Sequence, residues 1–303
     1  MGTGELVAAS VGPYGEAIAL WAAPAVAGAM LGRRVDAGGA SFPDARTGRP
    51  AQAQVLTYWP DAVHARGVPA VELAYPMVQP LPGDRTLIVG ARCWWRAEGA
   101  EQNAVVLDPE GNTTVTGTLG DGIEEVLTTP AGQIWVGYFD EGVFGNYGWG
   151  GPGPEPIGSA GIVRFGLDLT ATWRYPHGAA GGGVFDAYAL NVEEETAWSC
   201  YYADFPIVRI ESGSVTTWRN EIAGARALLV GGEYCALYGG YGTDRNRVVV
   251  GKLTSDRFAV DRSCVLTLPD GGELGPCRVV ARGQELHVFV ERRWYRIDLD
   301  DLL

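Results

Sequence analysis

"TTPAGQIWVGYFDEGVFGN" (Thr128–Asn146) is the stretch on which the fold turns. A Pro/Gly turn leads into a short apolar run with Trp135, then the acidic pair Asp140 and Glu141, then glycines. Such a stretch is either a solitary active-site loop or one unit of a repeat. The chain answers by repeating it. The element "apolar strand, turn, apolar strand with an aromatic" occurs at Val7–Trp21, Ala74–Ala91, Glu124–Tyr138, Ala187–Tyr201, Arg226–Gly240 and Cys277–Val290. Each copy reads as a β-hairpin from its turn chemistry and β-branched or aromatic content.

Third strands follow several hairpins, as "GIVRFGL" (Gly161–Leu167), "PIVRIES" (Pro206–Ser212), "RVVVGKL" (Arg247–Leu253) and "RWYRIDL" (Arg293–Leu299). They alternate apolar and polar residues with a period of two, as half-exposed strands do. Outer strands are read in "ATWRYP" (Ala171–Pro176), "SVTTWRN" (Ser214–Asn220) and "SCVLTLP" (Ser263–Pro269). The hairpin turns fall at Gly15, Gly83, Gly132, Glu193, Gly232 and Gly283, with gaps of 68, 49, 61, 39 and 51 residues. Propeller blades repeat at roughly 40–50 residues. The two long gaps hold insertions, Gly32–Gln54 and the Gly/Pro-rich Gly142–Gly161. No amphipathic helix is evident. The expectation is an all-β, six-bladed β-propeller forming one domain over 1–303; five or seven blades also fit. Residues before Val7 are expected to supply an outer strand to the last blade and remove its edge.

Composition limits the function. The 303 residues are 47% hydrophobic and 19% charged, an ordinary globular balance that can bury a core. A net charge of −13 repels nucleic acid and anionic lipid, so neither is an expected partner; a small molecule or a protein is. The five cysteines are widely spaced with no CxxC, which argues for reduced thiols. The apolar stretch Ala17–Gly32 lacks the basic residues that precede the core of a signal peptide, and it is too short to span a membrane. It reads as buried strand with a bend, and the expected location is cytoplasmic. The glycine loops "GAAGGG" (Gly178–Gly183) and "GGYGTD" (Gly239–Asp244) enter no helix, so they do not read as phosphate loops. No GxSxG elbow is present.

Polar residues at first-strand positions are candidates for the centre: Glu124 and Glu125, Asp186, Tyr188, Arg226, Arg278, Gln79 and Glu72. Strand alternation lets only one of Glu124 and Glu125 point there. The bland alternative is that these residues line a water-filled channel. A second set comes from setting Trp135 against Trp198. Tyr138 then matches Tyr201, Phe139 matches Tyr202, and Asp140 and Asp204 follow. Both segments leave a second strand onto the same face, with Glu141, Tyr147, Trp149 and His177 in reach of that rim. Aromatics with acids suit a flat organic ligand, a sugar or a cation. Trp135 and Trp198 themselves are expected in the core. The acids can equally serve turn formation.

"GQIWVGYFDEGVF" followed by "GIVRF" resembles the propeller repeats of bacterial sensor proteins, whose consensus is close to G-x-IWVGT-x2-GGL-x-RF. The match is specific over about Thr128 to Phe165. The wider pattern is similar to NHL repeats and to regucalcin/gluconolactonase propellers. The latter resemblance implies a divalent cation (calcium, magnesium or manganese) held by one of Glu124 or Glu125, by Asp186 and by Asn191. Two functions are therefore expected. One is a ligand- or protein-binding propeller without catalysis, using Tyr138, Phe139, Glu141, Tyr188, Tyr201, Tyr202 and Arg226. The other is a metal-dependent lactonase, hydrolase or lyase in which Asp140, Asp204 or His177 acts as acid or base.

Overall fold

A computed structural model describes residues 4–35, 38–60 and 62–303. It is all-β, with 54% of residues in strands and 7% in helices. The strands fall into successive antiparallel sheets along the chain. The first holds Glu5–Val11, Ala17–Ala22, Arg46–Trp59 and Ala62–Leu73. The second holds Pro76–Leu81, Arg85–Gly90, Ala104–Leu107 and Thr113–Gly117. The third holds Ile123–Thr128, Ile134–Tyr138, Ile162–Phe165 and Ala171–Arg174. Asp186–Glu193, Thr196–Tyr202, Ile207–Glu211 and Ser214–Trp218 make the fourth. Ala225–Gly231, Tyr234–Gly239, Arg247–Leu253 and Phe258–Val265 make the fifth. The sixth has Arg278–Arg282, Glu285–Val290 and Arg293–Asp298, and one parallel bridge, Asn191 to Ala281, links it to the fourth. The hairpins read from the sequence are the first two strands of each sheet.

The first strands of the six sheets touch in chain order, and the first strand of the sixth sheet also touches that of the first. Neighbouring sheets pack face to face. Ile18, Leu20 and Val55 of the first meet Val78, Ile88 and Leu107 of the second. Leu228 and Leu237 of the fifth meet Trp198 and Ile207 of the fourth, while Leu229 and Tyr238 on the opposite face meet Leu286 and Val288 of the sixth. Alternating side chains make this possible, because each strand feeds both faces of its sheet. Trp135 and Trp198 are buried, Trp135 edge-on to Trp173 at 5.5 Å and Trp198 stacked on Trp218 at 5.6 Å.

Two expectations fail, and one insertion proves to be structured. The strand Ala17–Ala22 is followed by a helix, Pro24–Met30, and not by more strand. Proline at the first helical position is pre-set for a helix, the alanines favour it, and Ala27 and Met30 bury one side. The insertion Gly32–Gln54 contains a hairpin, Arg33–Val35 with Ser41–Pro43, and the start of the long strand Arg46–Trp59; residues 36–37 lie outside the described residues. Glu5–Val11 pairs with Ala17–Ala22 inside the first sheet, so it adds no strand to the sixth. Residues 1–3 lie outside the described residues.

Candidate functional site

The first strands are irregular near their starts. Pairing with the second strand slips between Leu6 and Ala8, Ile123 and Glu125, Ala187 and Ala189, and Ala225 and Ala227. Each slip is a bulge, which leaves one residue unpaired and re-aims its side chain. Those residues are Val7, Glu124, Tyr188 and Arg226, three of them among the candidates for the centre. The bulge interrupts strict alternation at Glu124, so the period-two argument does not separate Glu124 from Glu125 here. Arg278 Nη2 donates to Glu125 Oε2 at 2.5 Å. Glu124 keeps contact with solvent although protein surrounds it on most sides, as expected in a wet mouth. Burial pushes both carboxyls up, and Arg278 pulls against that in each case, joined at Glu124 by Arg226. A cavity of about 720 Å³ opens at the same end of the first strands but toward the first, second and sixth sheets, lined by Ser10, Met77, Val126, Glu125 and Arg278, among others; Glu124, Asp186, Tyr188 and Arg226 do not line it.

Asp186 starts the first strand of the fourth sheet and faces this charge. Its carboxyl is pushed up to about 6, first by burial and then by Asp140 and Glu124. Tyr188, two residues on, is raised by burial, by its bond to Tyr241 and by Asp186 and Asp140. Tyr241 Oη donates to Tyr188 Oη at 2.8 Å. Tyr188 packs edge-on to Phe205 at 5.6 Å and to Tyr241 at 6.2 Å, and Tyr202 packs on Phe205 at 5.8 Å. Tyr202 is 49% exposed and Tyr241 56%, so the wall keeps open ring surface beside the acids. Asp204 and Phe205 hold left-handed backbone, with φ of 66° and 50°. Side chains other than Gly adopt that region at a cost, and such strain concentrates at ligand clamps and active sites.

The opposite ends of the first strands are sealed. Arg282 is buried, and all five of its N–H groups are used. They reach Val11 O twice, Thr128 O, Val192 O and Gln79 Oε1, at 2.8 to 3.3 Å. Asn191 Nδ2 donates to Leu228 O at 2.8 Å and to Gly283 O at 2.7 Å. Side chains or carbonyls from all six sheets therefore meet at this point. Burial lowers the Arg282 pKa to about 10, against the pull of Glu16 and Glu125.

The other candidates are distributed unevenly. Tyr138 and Tyr201 lie in the core and not at the rim: Tyr138 Oη donates to Leu119 O, and Tyr201 Oη pairs with Tyr175 Oη at 2.7 Å. Phe139 and Glu141 serve a buried arginine. Arg92 binds Asp121 through Nε at 2.9 Å and Nη2 at 2.8 Å, reaches Glu141 at 2.6 Å, and lies 3.9 Å from the Tyr147 ring and 5.2 Å from Phe139. Tyr147 and Trp149 are likewise buried, and Trp149 Nε1 donates to Cys93 O at 2.8 Å. The insertion 142–161 is thus pinned across the second and third sheets. Gly122 and Gly142 permit the close approach, because a Cβ on Gly122 would sit 2.3 Å from the Gly142 nitrogen. His177 lines a separate notch of about 230 Å³ with Phe144, Tyr175 and Phe185. Asp204 is exposed. Glu72 is exposed on the fourth strand of the first sheet, away from the centre, and Gln79 belongs to the sealed end.

The metal set implied by the regucalcin resemblance does not fit these residues. Asn191 is committed at the sealed end, five residues along the strand from Asp186, or roughly 16 Å at the usual rise. Glu125 is committed to Arg278. Among the described residues no group of three or more His, Cys, Asp or Glu could hold a metal ion.

No family model matches the chain, and no curated protein matches it. Solved structures do. A functionally unknown protein from Desulfotomaculum acetoxidans is 10% identical with a TM-score of 0.52, over 99% of this chain and 84% of that one. AztD from Citrobacter koseri is 12% identical with a TM-score of 0.45, over 98% and 84%. PorZ, a surface component of the type-IX secretion system of Porphyromonas gingivalis, is 12% identical with a TM-score of 0.49; 98% of this chain spans 32% of that one. At 10% identity the likeness to the Desulfotomaculum acetoxidans protein is one of fold alone. Among the described residues no helix is long and apolar enough to cross a membrane.

Proposed function

We propose that the six sheets form a six-bladed β-propeller and that the chain is a binding module for a small ligand. The cyclic contact of the six first strands supports the architecture. The polarity of those strands carries the function. One end is sealed by the buried Arg282 and Asn191 bonds, and the other opens among bulged Glu124, Tyr188 and Arg226. A blind, wet mouth with a few convergent polar groups and apolar rings is the general form of a small-molecule site. The five free cysteines support a reducing compartment.

The test is a fragment screen read by NMR on isotope-labelled protein, repeated on Arg226→Ala and Asp186→Asn. Hits should shift resonances at Glu124, Asp186, Tyr188 and Arg226; Asp186→Asn should weaken them, and Arg226→Ala should change their affinity. Hits that gather instead at the notch around His177, or are indifferent to both substitutions, overturn the reading.

A further inference from the structure

We propose that the group bound at this mouth is an organic cation, an alkylammonium held between the aromatic wall of Tyr188, Phe205 and Tyr241 and the carboxylates of Asp186 and Asp140. The inference rests on the reading of the mouth as a small-ligand site and names the ligand's chemistry.

Three observations lead there. First, the wall keeps its rings open to water, with Tyr202 and Tyr241 about half exposed. Ring faces attract cations through the aromatic quadrupole, and tyrosine is a good donor of that field. Second, the wall and the acids are adjacent: Asp186 stands two residues before Tyr188 and opposite Tyr202 across the hairpin, and the short helix that begins at Asp140 touches the same strand. Third, the balance of charge in the mouth is negative. Glu124, Glu125, Asp186 and Asp140 face Arg278 and Arg226 there, and Arg278 is bonded to Glu125. Among the described residues no arginine or lysine forms an ion pair with Asp186, and burial together with the acids Asp140 and Glu124 pushes its carboxyl up. A cation placed beside Asp186 supplies the missing positive charge and touches ring surface at the same time. An anion would meet Asp186 and Asp140 instead. The net charge of −13 adds long-range attraction of the same sign.

The experiment compares choline with 3,3-dimethylbutan-1-ol, which has the same shape with carbon in place of the charged nitrogen. Both are titrated into the full chain by calorimetry and NMR. Choline should bind at least about tenfold more tightly than the alcohol, the scale of a partly desolvated cation–π contact. Tyr241→Ala should weaken choline about tenfold, and Tyr241→Phe, which keeps the ring, should hold it within about twofold. Tyr241 is exposed, so its removal leaves the core intact. Equal binding of both probes at the mouth overturns the cation inference and leaves the small-ligand reading standing. Shifts at the mouth from neutral or anionic fragments, with none from choline, do the same. No shift at the mouth from any probe or fragment overturns both.

Discussion

Arg282 donates to the carbonyl oxygen of Val11 from Nε at 3.0 Å and from Nη2 at 2.9 Å, joining residues 271 positions apart. The same guanidinium holds Thr128, Val192 and Gln79. Lysine has three donors on a point charge and cannot span this set. Arg282→Lys should therefore leave buried carbonyls unpaired and cost about 3–5 kcal/mol, the scale for breaking a buried charged network. Chemical denaturation at neutral pH checks it; a loss below about 1 kcal/mol would remove Arg282 as the hub.

Arg92 makes the second prediction. Its removal strands Asp121, a buried carboxylate whose other partners are backbone N–H groups. Arg92→Met should destabilise by about 3 kcal/mol or more. It should also free the insertion, since Tyr147 packs on the guanidinium. Limited proteolysis should then cut within residues 142–161, where the parent protein resists.

Asp186 should weaken the fold as it ionises. Its folded pKa, about 6, lies above the ordinary value of 3.8, with Asp140, Glu124 and Tyr188 facing it and Arg226 and Arg278 reached through Glu124. The stability this gives is complete below the unfolded pKa and is lost as pH rises through about 6. Asp186→Asn removes that loss, so at pH 7 it should be more stable by on the order of 1 kcal/mol, allowing for solvent screening. Equal melting temperatures for the two proteins at pH 7 and at pH 4 would contradict the assignment.

His287 should act in the opposite sense. It is fully buried, its Nδ1 accepts from Trp294 Nε1 at 3.1 Å, and Glu285 lies 3.4 Å from Nε2. Burial wins over that carboxylate, aided by Arg296 and Arg282, and lowers the pKa to about 4. The stability from keeping it neutral is complete above the unfolded pKa of 6.5 and is lost as pH falls through about 4. The loss should approach about 3 kcal/mol in acid. His287→Gln should flatten stability between these values, measured by denaturant midpoints across the range.

The hairpins were legible because turn residues and period-two alternation are local. The third and fourth strands of the first sheet were not. Arg46–Trp59 opens on Arg, Thr, Gly and Pro, which locally resemble a loop, and only pairing with Ala17–Ala22 and Ala62–Leu73 makes it a strand. Glu124, Glu125, Asp186 and Tyr188 stand near the starts of first strands, which residue type and turn position alone predict. Their orientation was not legible, because a bulge is a property of two strands together. Nothing in the local sequence singles out Phe205. Tyr241 stands in the glycine loop Gly239–Asp244, where the aromatic between glycines was the available signal. Tyr138 and Tyr201 show the reverse error, since an aromatic beside an acid reads alike in core and rim.

The six sheets follow one another along the chain, and among the described residues the first and sixth share no strand. Their meeting is therefore a seam, held by packed faces, by Arg282 and by the Arg292 bond to Gly4 O at 2.7 Å. A strand stitched across it would have to be peeled away hydrogen bond by hydrogen bond. Here a lateral slip of two faces is enough, so under mechanical load or at the onset of melting the molecule should part along this line first, with amide exchange fastest in the strands on either side.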